Sequence, residues 1–304
     1  MSHQRLFRTI LSSCILLLVA APALAAPSFS PWGTAASLES VPGTSTEMNT
    51  SALEGCPSLS RDGKQLYMAS NRPNGLGGLD IWVADRTAPD GPFGAPVNMG
   101  RPINSEFDDL CPSPLRDGQG FMFVSTRPGG CGGADIYLTR RHPEHGWEEP
   151  VNLGCHVNSS AGEAGPVLSF AEPGPPTLNF SSNRSGNSDL YQSQMVGAWS
   201  FGHPELIPGV NSPYEDARPS IRHDGRELFF DSNRPGGEGG IDIWSASRDS
   251  IADPWSPPTN LGPNINSSAN EIRPWLAWKA TELIFGSFRE GSEGSMDLFF
   301  ANRE

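Results

Sequence analysis

The chain is predicted to be all-β, a single five-bladed β-propeller with four antiparallel strands per blade, closed by an N-terminal strand that completes the last blade. Three observations predict this. A motif seen in full from Arg218 to Trp244 occurs five times. Two separate markers inside it keep one period. The strand missing from the last unit reappears near the start of the chain.

Within the motif, Pro219 to Ile221 reads as a short strand and Asp224-Gly225 as a tight turn. Leu228 to Asn233 reads as a second strand, and Ile241 to Ser245 as a third after a glycine-rich loop. The loop asparagines Asn49, Asn104, Asn158, Asn211 and Asn266 are spaced 55, 54, 53 and 55 residues apart. The aspartates before the third strand, Asp80, Asp135, Asp189, Asp242 and Asp297, repeat those spacings. A shared period of this length marks units that stack on their neighbours to bury apolar faces.

Fourth strands are read at Phe93 to Met99, Trp147 to Leu153 and Trp255 to Leu261. The blades are expected near 57–99, 112–153, 166–207, 219–261 and 274–301. The last stops after its third strand, and Trp32 to Leu38 supplies the fourth, removing an open sheet edge.

Residues 1–25 have the layout of a cleaved secretory signal: Arg5 and Arg8, an apolar run around Ile15 to Val19, then Ala23-Leu24-Ala25. A lipidation box at Cys14 fits less well, because most of the apolar run follows it. No later stretch reaches the roughly 18 apolar residues of a membrane span. A periplasmic or extracellular protein with no membrane span is expected. Loss of the signal removes two of the 21 basic residues and none of the 34 acids, leaving a formal charge of −15. That charge disfavours nucleic acid as a partner.

The pattern Pro-Ser-x-Ser/Arg-x-Asp-Gly-x-x-Leu-Tyr/Phe, followed by Ser-x-Arg-Pro-Gly-Gly-x-Gly-Gly-x-Asp-Ile-Trp/Tyr, resembles the WD-like propeller repeats of the TolB family over Trp32 to Ala301. The resemblance implies the fold. It also implies the company of periplasmic binding and scaffold proteins and of non-catalytic peptidase propellers. The chain departs from TolB itself, which has six blades and a further N-terminal domain.

Arg72, Arg127, Arg184, Arg234 and Arg289 end the second strands, each followed by an aspartate eight residues on, or five in blade 3. An ion pair or loop clamp is expected between them. A second set of acids, Glu54, Asp109, Glu163, Asp216 and Glu271, stands around the channel mouth. Each is expected to accept hydrogen bonds from the entering loop, whereas a glycosidase would use two as acid and base. Tyr214-Glu215 suggests a sialidase-like pair, but Phe107-Asp108 occupies the same repeat position. Each glycine-rich loop offers one carboxylate where calcium takes six to eight oxygens, so neither a metal nor a cofactor is called for.

The blades differ at Cys56, Cys111, Gly165, Arg218 and Arg273. The candidate binding site is therefore the channel mouth near blades 4 and 5: Arg218, Arg273, Asp216 and Glu271, with Tyr214 and His156 on loops of that face. An even number of cysteines in an exported chain predicts two disulfides, assigned as Cys56–Cys111 and Cys131–Cys155; no Cys-x-x-Cys element supports zinc. The favoured function is a monomeric, non-enzymatic module binding an envelope protein or glycan. The alternative is a carbohydrate-active enzyme, hydrolase or lyase.

Overall fold

The computed structural model describes residues 29–171 and 174–304; the predicted signal sequence lies outside them. Five antiparallel sheets surround one axis. Blade 1 consists of Glu54–Leu59, Gln65–Ser70, Asp80–Asp85 and Val97–Asn98. Blade 2 consists of Asp109–Pro114, Gly120–Ser125, Asp135–His142 and Val151–Asn152, with Gly146–Trp147 extending its outer hairpin. Blade 3 has Glu163–Ser169, Thr177–Ser182, Asp189–Gly197 and Glu205–Leu206, plus Ser200–Phe201. Blade 4 has Asp216–Ile221, Glu227–Ser232, Asp242–Ser247 and Thr259–Asn260. Blade 5 has Glu271–Leu276, Glu282–Ser287 and Asp297–Asn302, and takes its fourth strand, Ala36–Ser37, from the start of the described chain.

That closing strand pairs Ala36 with Phe300 and Ser37 with Phe299. It is shorter than the expected Trp32 to Leu38, because the chain turns into a 3-10 helix at Leu38–Ser40. Fourth strands are two residues long in every blade. Prolines stand just ahead of them (Pro96, Pro150, Pro204, Pro258) and have no N–H to give the ladder. Among the described residues no helix is long and apolar enough to cross a membrane.

The core lies between blades. Leu66, Met68 and Trp82 of blade 1 pack on Ile284 and Leu298 of blade 5, while Tyr67 and Ile81 meet Phe121, Phe123 and Tyr137 of blade 2. Loop asparagines stitch these interfaces. Asn104 accepts from Ile81 N (2.8 Å) and donates to Ile81 O (2.9 Å), tying the third strand of blade 1 to the loop that enters blade 2. Asn158, Asn211 and Asn266 do the same to Ile136, Leu190 and Ile243. Asn49 does it to Leu298, sealing the joint between the chain's two ends.

The repeated arginines do not pair with the aspartates that follow them. Arg72 reaches back to Glu54 (3.1 Å), Arg127 to Asp109 (2.8 Å), Arg184 to Glu163 (3.1 Å), Arg234 to Asp216, and Arg289 to Glu271 (3.2 Å). The sequence expectation chose the nearer acid in sequence; the sheet brings the start of the first strand beside the end of the second. The aspartates instead cap the glycine-rich loops, as where Asp242 accepts from Glu238 N (2.8 Å) and Gly239 N (3.2 Å).

Trp32 is buried, packs edge-on against Phe229 at 6.0 Å and lies beneath the Arg303 guanidinium at 4.5 Å. Trp32→Ala should therefore cost about 3–5 kcal/mol in urea unfolding. An unchanged midpoint would show that the closing segment does not hold the ring.

Candidate functional site

Each innermost strand carries a bulge at the same place, for example between Gly55 and Ser58 and between Ile272 and Trp275. The bulged residues are Cys56, Cys111, Gly165, Arg218 and Arg273, with φ of 49°, 49°, 57°, 50° and 60°. Each is followed by a proline. For four non-glycine residues this left-handed backbone is strained, and such strain persists only where surrounding structure enforces it. The consequence is a ring of four side chains and one glycine lining the channel throat with their prolines. The space left there is about 30 Å³, room for about one water molecule.

One side of the ring is a disulfide, Cys56–Cys111, with Cα atoms 4.7 Å apart. A second disulfide, Cys131–Cys155, has a Cα separation of 5.4 Å. Gly165 separates the disulfide from the arginines; a Cβ there would lie 2.7 Å from the Arg218 Cα, so only glycine allows that approach.

The other side is charged. Arg218 makes a two-pronged pair with Asp231, Nε donating to Oδ2 at 2.8 Å and Nη2 to Oδ1. Asp231 Oδ2 also accepts from Arg273 N at 2.8 Å. Burial opposes the charge on Arg218, but the attraction of Asp231 and its hydrogen bonds outweigh that and hold the pKa above its ordinary value. Arg273 has no such support. Its Nε and Nη1 are shut away from solvent without a hydrogen-bond partner. Burial first, then repulsion from Arg218, push its pKa down to about 10, with Asp231 pulling weakly the other way. The throat thus holds two guanidinium groups against one carboxylate, and an unmatched buried donor set of this kind favours an anionic guest.

Of the sequence-derived candidates, the structure brings Arg218 and Arg273 together in the throat. Asp216 and Glu271 are fully buried inside their blades. Asp216 is held by Arg234 and Ser212, and Glu271 by Arg289, Ser267 and Ser287. Neither neutralises the throat arginines. Tyr214 stands on the loop face, 45% exposed, and His156 is exposed with its ring 5.6 Å from His203; neither lines the throat.

Sequence reasoning missed Asp231. It occupies the position held by Ala69, Val124, Ser181 and Gly286 in the other blades, so a column-by-column comparison of the repeats would have exposed it. The same comparison shows Asp108 and Glu215 at one position on the loop face, where the other blades have Leu53, Gly162 and Asn270. Asp108 Oδ1 accepts from Leu79 N (2.8 Å), Glu215 Oε2 from Ser188 N (2.9 Å) and Asn270 Oδ1 from Ile241 N (2.9 Å). Since the neutral amide of Asn270 makes the same clamp, the two negative charges are surplus to it. Glu215 is close enough for its charge to act on Arg218. A further variable ring lies five residues after the throat ring: Arg61, Arg116, Phe170, His223 and Trp278. Among the described residues the metal-competent trio is His142, Glu144 and His145, with donor atoms within 4.8 Å, on the outer hairpin of blade 2 and outside this site.

No protein-family model matches the sequence, and neither does any curated protein. The fold is similar to an α-L-arabinofuranosidase from Lactobacillus brevis (13% identity, 88% of this chain and 94% of that one, TM-score 0.57). It is also similar to a xylan β-1,4-xylosidase from Bacillus halodurans C-125 (15% identity, 84% and 54%, TM-score 0.55). A chain described as TolB from Agrobacterium tumefaciens reaches 14% identity, 91% and 99% coverage, and a TM-score of 0.49. Most of the similar structures are glycoside hydrolase propellers. That corrects the expectation of a non-enzymatic binding or scaffold module and leaves TolB kinship unestablished. At these identities the likeness establishes the fold.

The two arginines should respond oppositely to substitution. Arg218→Met strands Asp231 and should destabilise by about 3–5 kcal/mol, whereas Arg273→Met removes an unmatched buried charge and should leave stability equal or raised by about 1–4 kcal/mol. Because the folded-state pKa of Arg273 is depressed to about 10, below the ordinary arginine value, its penalty is complete below about pH 10 and is relieved as pH rises above that. The advantage of Arg273→Met should shrink over that window. Thermal unfolding of both variants decides it: destabilisation by Arg273→Met would mean the guanidinium is matched after all.

Proposed function

We propose that this protein is a carbohydrate-active enzyme of the hydrolase type, with its active site at the channel mouth on the loop face and Asp108 and Glu215 as its two carboxylates. The observation that carries the reading is that, among the described residues, these two carboxylates have no arginine partner, whereas each of the five repeated acids has one. Each repeated acid is 0–2% exposed and tied to an arginine, so it is shut away from a substrate. Cleavage of a glycosidic bond takes one carboxylic acid to protonate the leaving oxygen and one carboxylate to activate water or attack the sugar. We assign these two roles to Asp108 and Glu215.

The remaining residues have binding roles. Tyr214 offers an exposed aromatic face beside Glu215 for a sugar ring. Arg218 and Arg273 below the mouth favour a substrate with a negatively charged substituent. Two disulfides belong to an oxidising compartment, which supports an exported protein working in the periplasm or outside the cell. Arabinose- and xylose-containing polysaccharides are the first substrates to try, since the neighbours act on such linkages by name. Uronate-bearing versions of them suit the throat.

Release of reducing sugar should be measured on that panel with wild type, Asp108→Asn and Glu215→Gln. Each variant should lose activity by about 100-fold or more with an unchanged melting temperature. Absence of turnover on every glycan, or full activity in both variants, would overturn the assignment.

A further inference from the structure

The ring of variable residues five positions beyond the throat closes the opposite end of the channel, on the face of the Asp-Gly turns. Arg61, Arg116 and His223 precede Asp62-Gly63, Asp117-Gly118 and Asp224-Gly225, and Trp278 holds the same place in blade 5. There Ala280 takes the left-handed conformation (φ 61°) that glycine supplies elsewhere, so the turn forms without its glycine. Four turns of one geometry therefore point two arginines, a histidine and a tryptophan at one spot.

Those side chains converge on Trp278. The Arg61 guanidinium lies 4.8 Å from the Trp278 ring centroid and that of Arg116 5.3 Å from it, with Phe170 5.7 Å from Arg116. His223 stacks on the same indole at 4.5 Å and 20°. The carboxylates next to these residues in sequence are engaged elsewhere. Asp62 accepts from Ser60 Oγ (2.7 Å) and Lys64 N (3.1 Å), Asp117 pairs with Arg140 (3.0 Å), and Asp224 is held by Arg222. Among the described residues no carboxylate forms a salt bridge with Arg61 or Arg116. Two like charges held against one indole, in a chain of net charge −13, repel each other without a counter-charge.

The surrounding space suits a ligand of some length. Three cavities, of about 60, 550 and 380 Å³, all include Arg61 in their walls. The smallest caps the channel, and the larger two run outward toward blades 5 and 2. An arginine flat on an aromatic ring keeps its N–H edge free, and that planar fork matches the two oxygens of a carboxylate or phosphate.

From this geometry we infer that the turn face carries a second ligand site, separate from the proposed active site, at which Arg61 and Arg116 on the Trp278 platform bind oxyanion groups of an extended ligand. The inference does not depend on the hydrolase reading. The ligand's chemistry is a carboxylate or a phosphate; a chain of uronic acids and a small phosphorylated compound both offer it.

Calorimetric titration of the intact protein with an oligouronate, with a neutral oligosaccharide of equal length and with inorganic phosphate tests the site. The oligouronate or phosphate should bind, the neutral chain should not, and affinity should fall as salt is raised. Arg61→Gln and Arg116→Gln should each weaken binding about tenfold or more. Both lie on exposed turn positions, and their melting temperatures provide the check on folding. Arg273→Met separates this site from the throat: binding at the turn face should survive that change. Tight oligouronate binding without phosphate binding assigns a carboxylated chain, and equal binding of both assigns the isolated oxyanion. Anion binding that is absent, or unchanged in both glutamine variants, or lost in Arg273→Met, would overturn the second site.

Discussion

The buried pair between an arginine at the end of each second strand and a carboxylate at the start of each first strand is the constraint on which the ring depends. It acts within a blade, but its other contacts reach the loop entering that blade. In blade 1, Arg72 also donates to the carbonyls of Glu47 and Met48, and Glu54 accepts from Thr50 N and Oγ1. The same arginine lies 5.2 Å from the ring of Trp82 on the third strand. One ion pair thereby fixes two strands and the incoming chain and braces a third. A buried pair adds little net stability over an apolar substitute, but losing one partner is severe, so the five copies fix geometry more than they supply energy.

With the blades held this way, the innermost strands are free to bulge where they are closest to the axis. The bulges turn one residue per blade into the throat, and the following proline locks the bend. A scaffold of five near-identical units thus presents three residue types at one height, and four at the turn face below. The glycan-acting mouth and the oxyanion site proposed here both draw on such columns, where the repeat leaves the residue unconstrained.

Charge follows the same division. The chain is strongly acidic, yet four arginines lie along the axis: Arg218 and Arg273 in the throat, Arg61 and Arg116 at the turn face. Acidic surroundings at large with cationic walls at the axis admit an anionic ligand mainly where the two ends of the channel open, which favours selectivity over tight non-specific capture.

The sequence by itself determined the architecture. Two markers on one period and a displaced strand signal were enough to count the blades and close the ring, because stacking and edge pairing are local rules repeated five times. It also pointed to the Cys56–Cys111 bridge, since the two share a repeat position on neighbouring inner strands, although the cysteine count alone left three pairings open. What only the tertiary structure decided was who pairs with whom across strands. Arg72 with Glu54 instead of Asp80, Arg218 with Asp231, and the Arg273 side chain with no acid at all depend on register, bulge and side-chain direction. Those are set by contacts far apart in the chain, where nearness in sequence is no guide to distance in space.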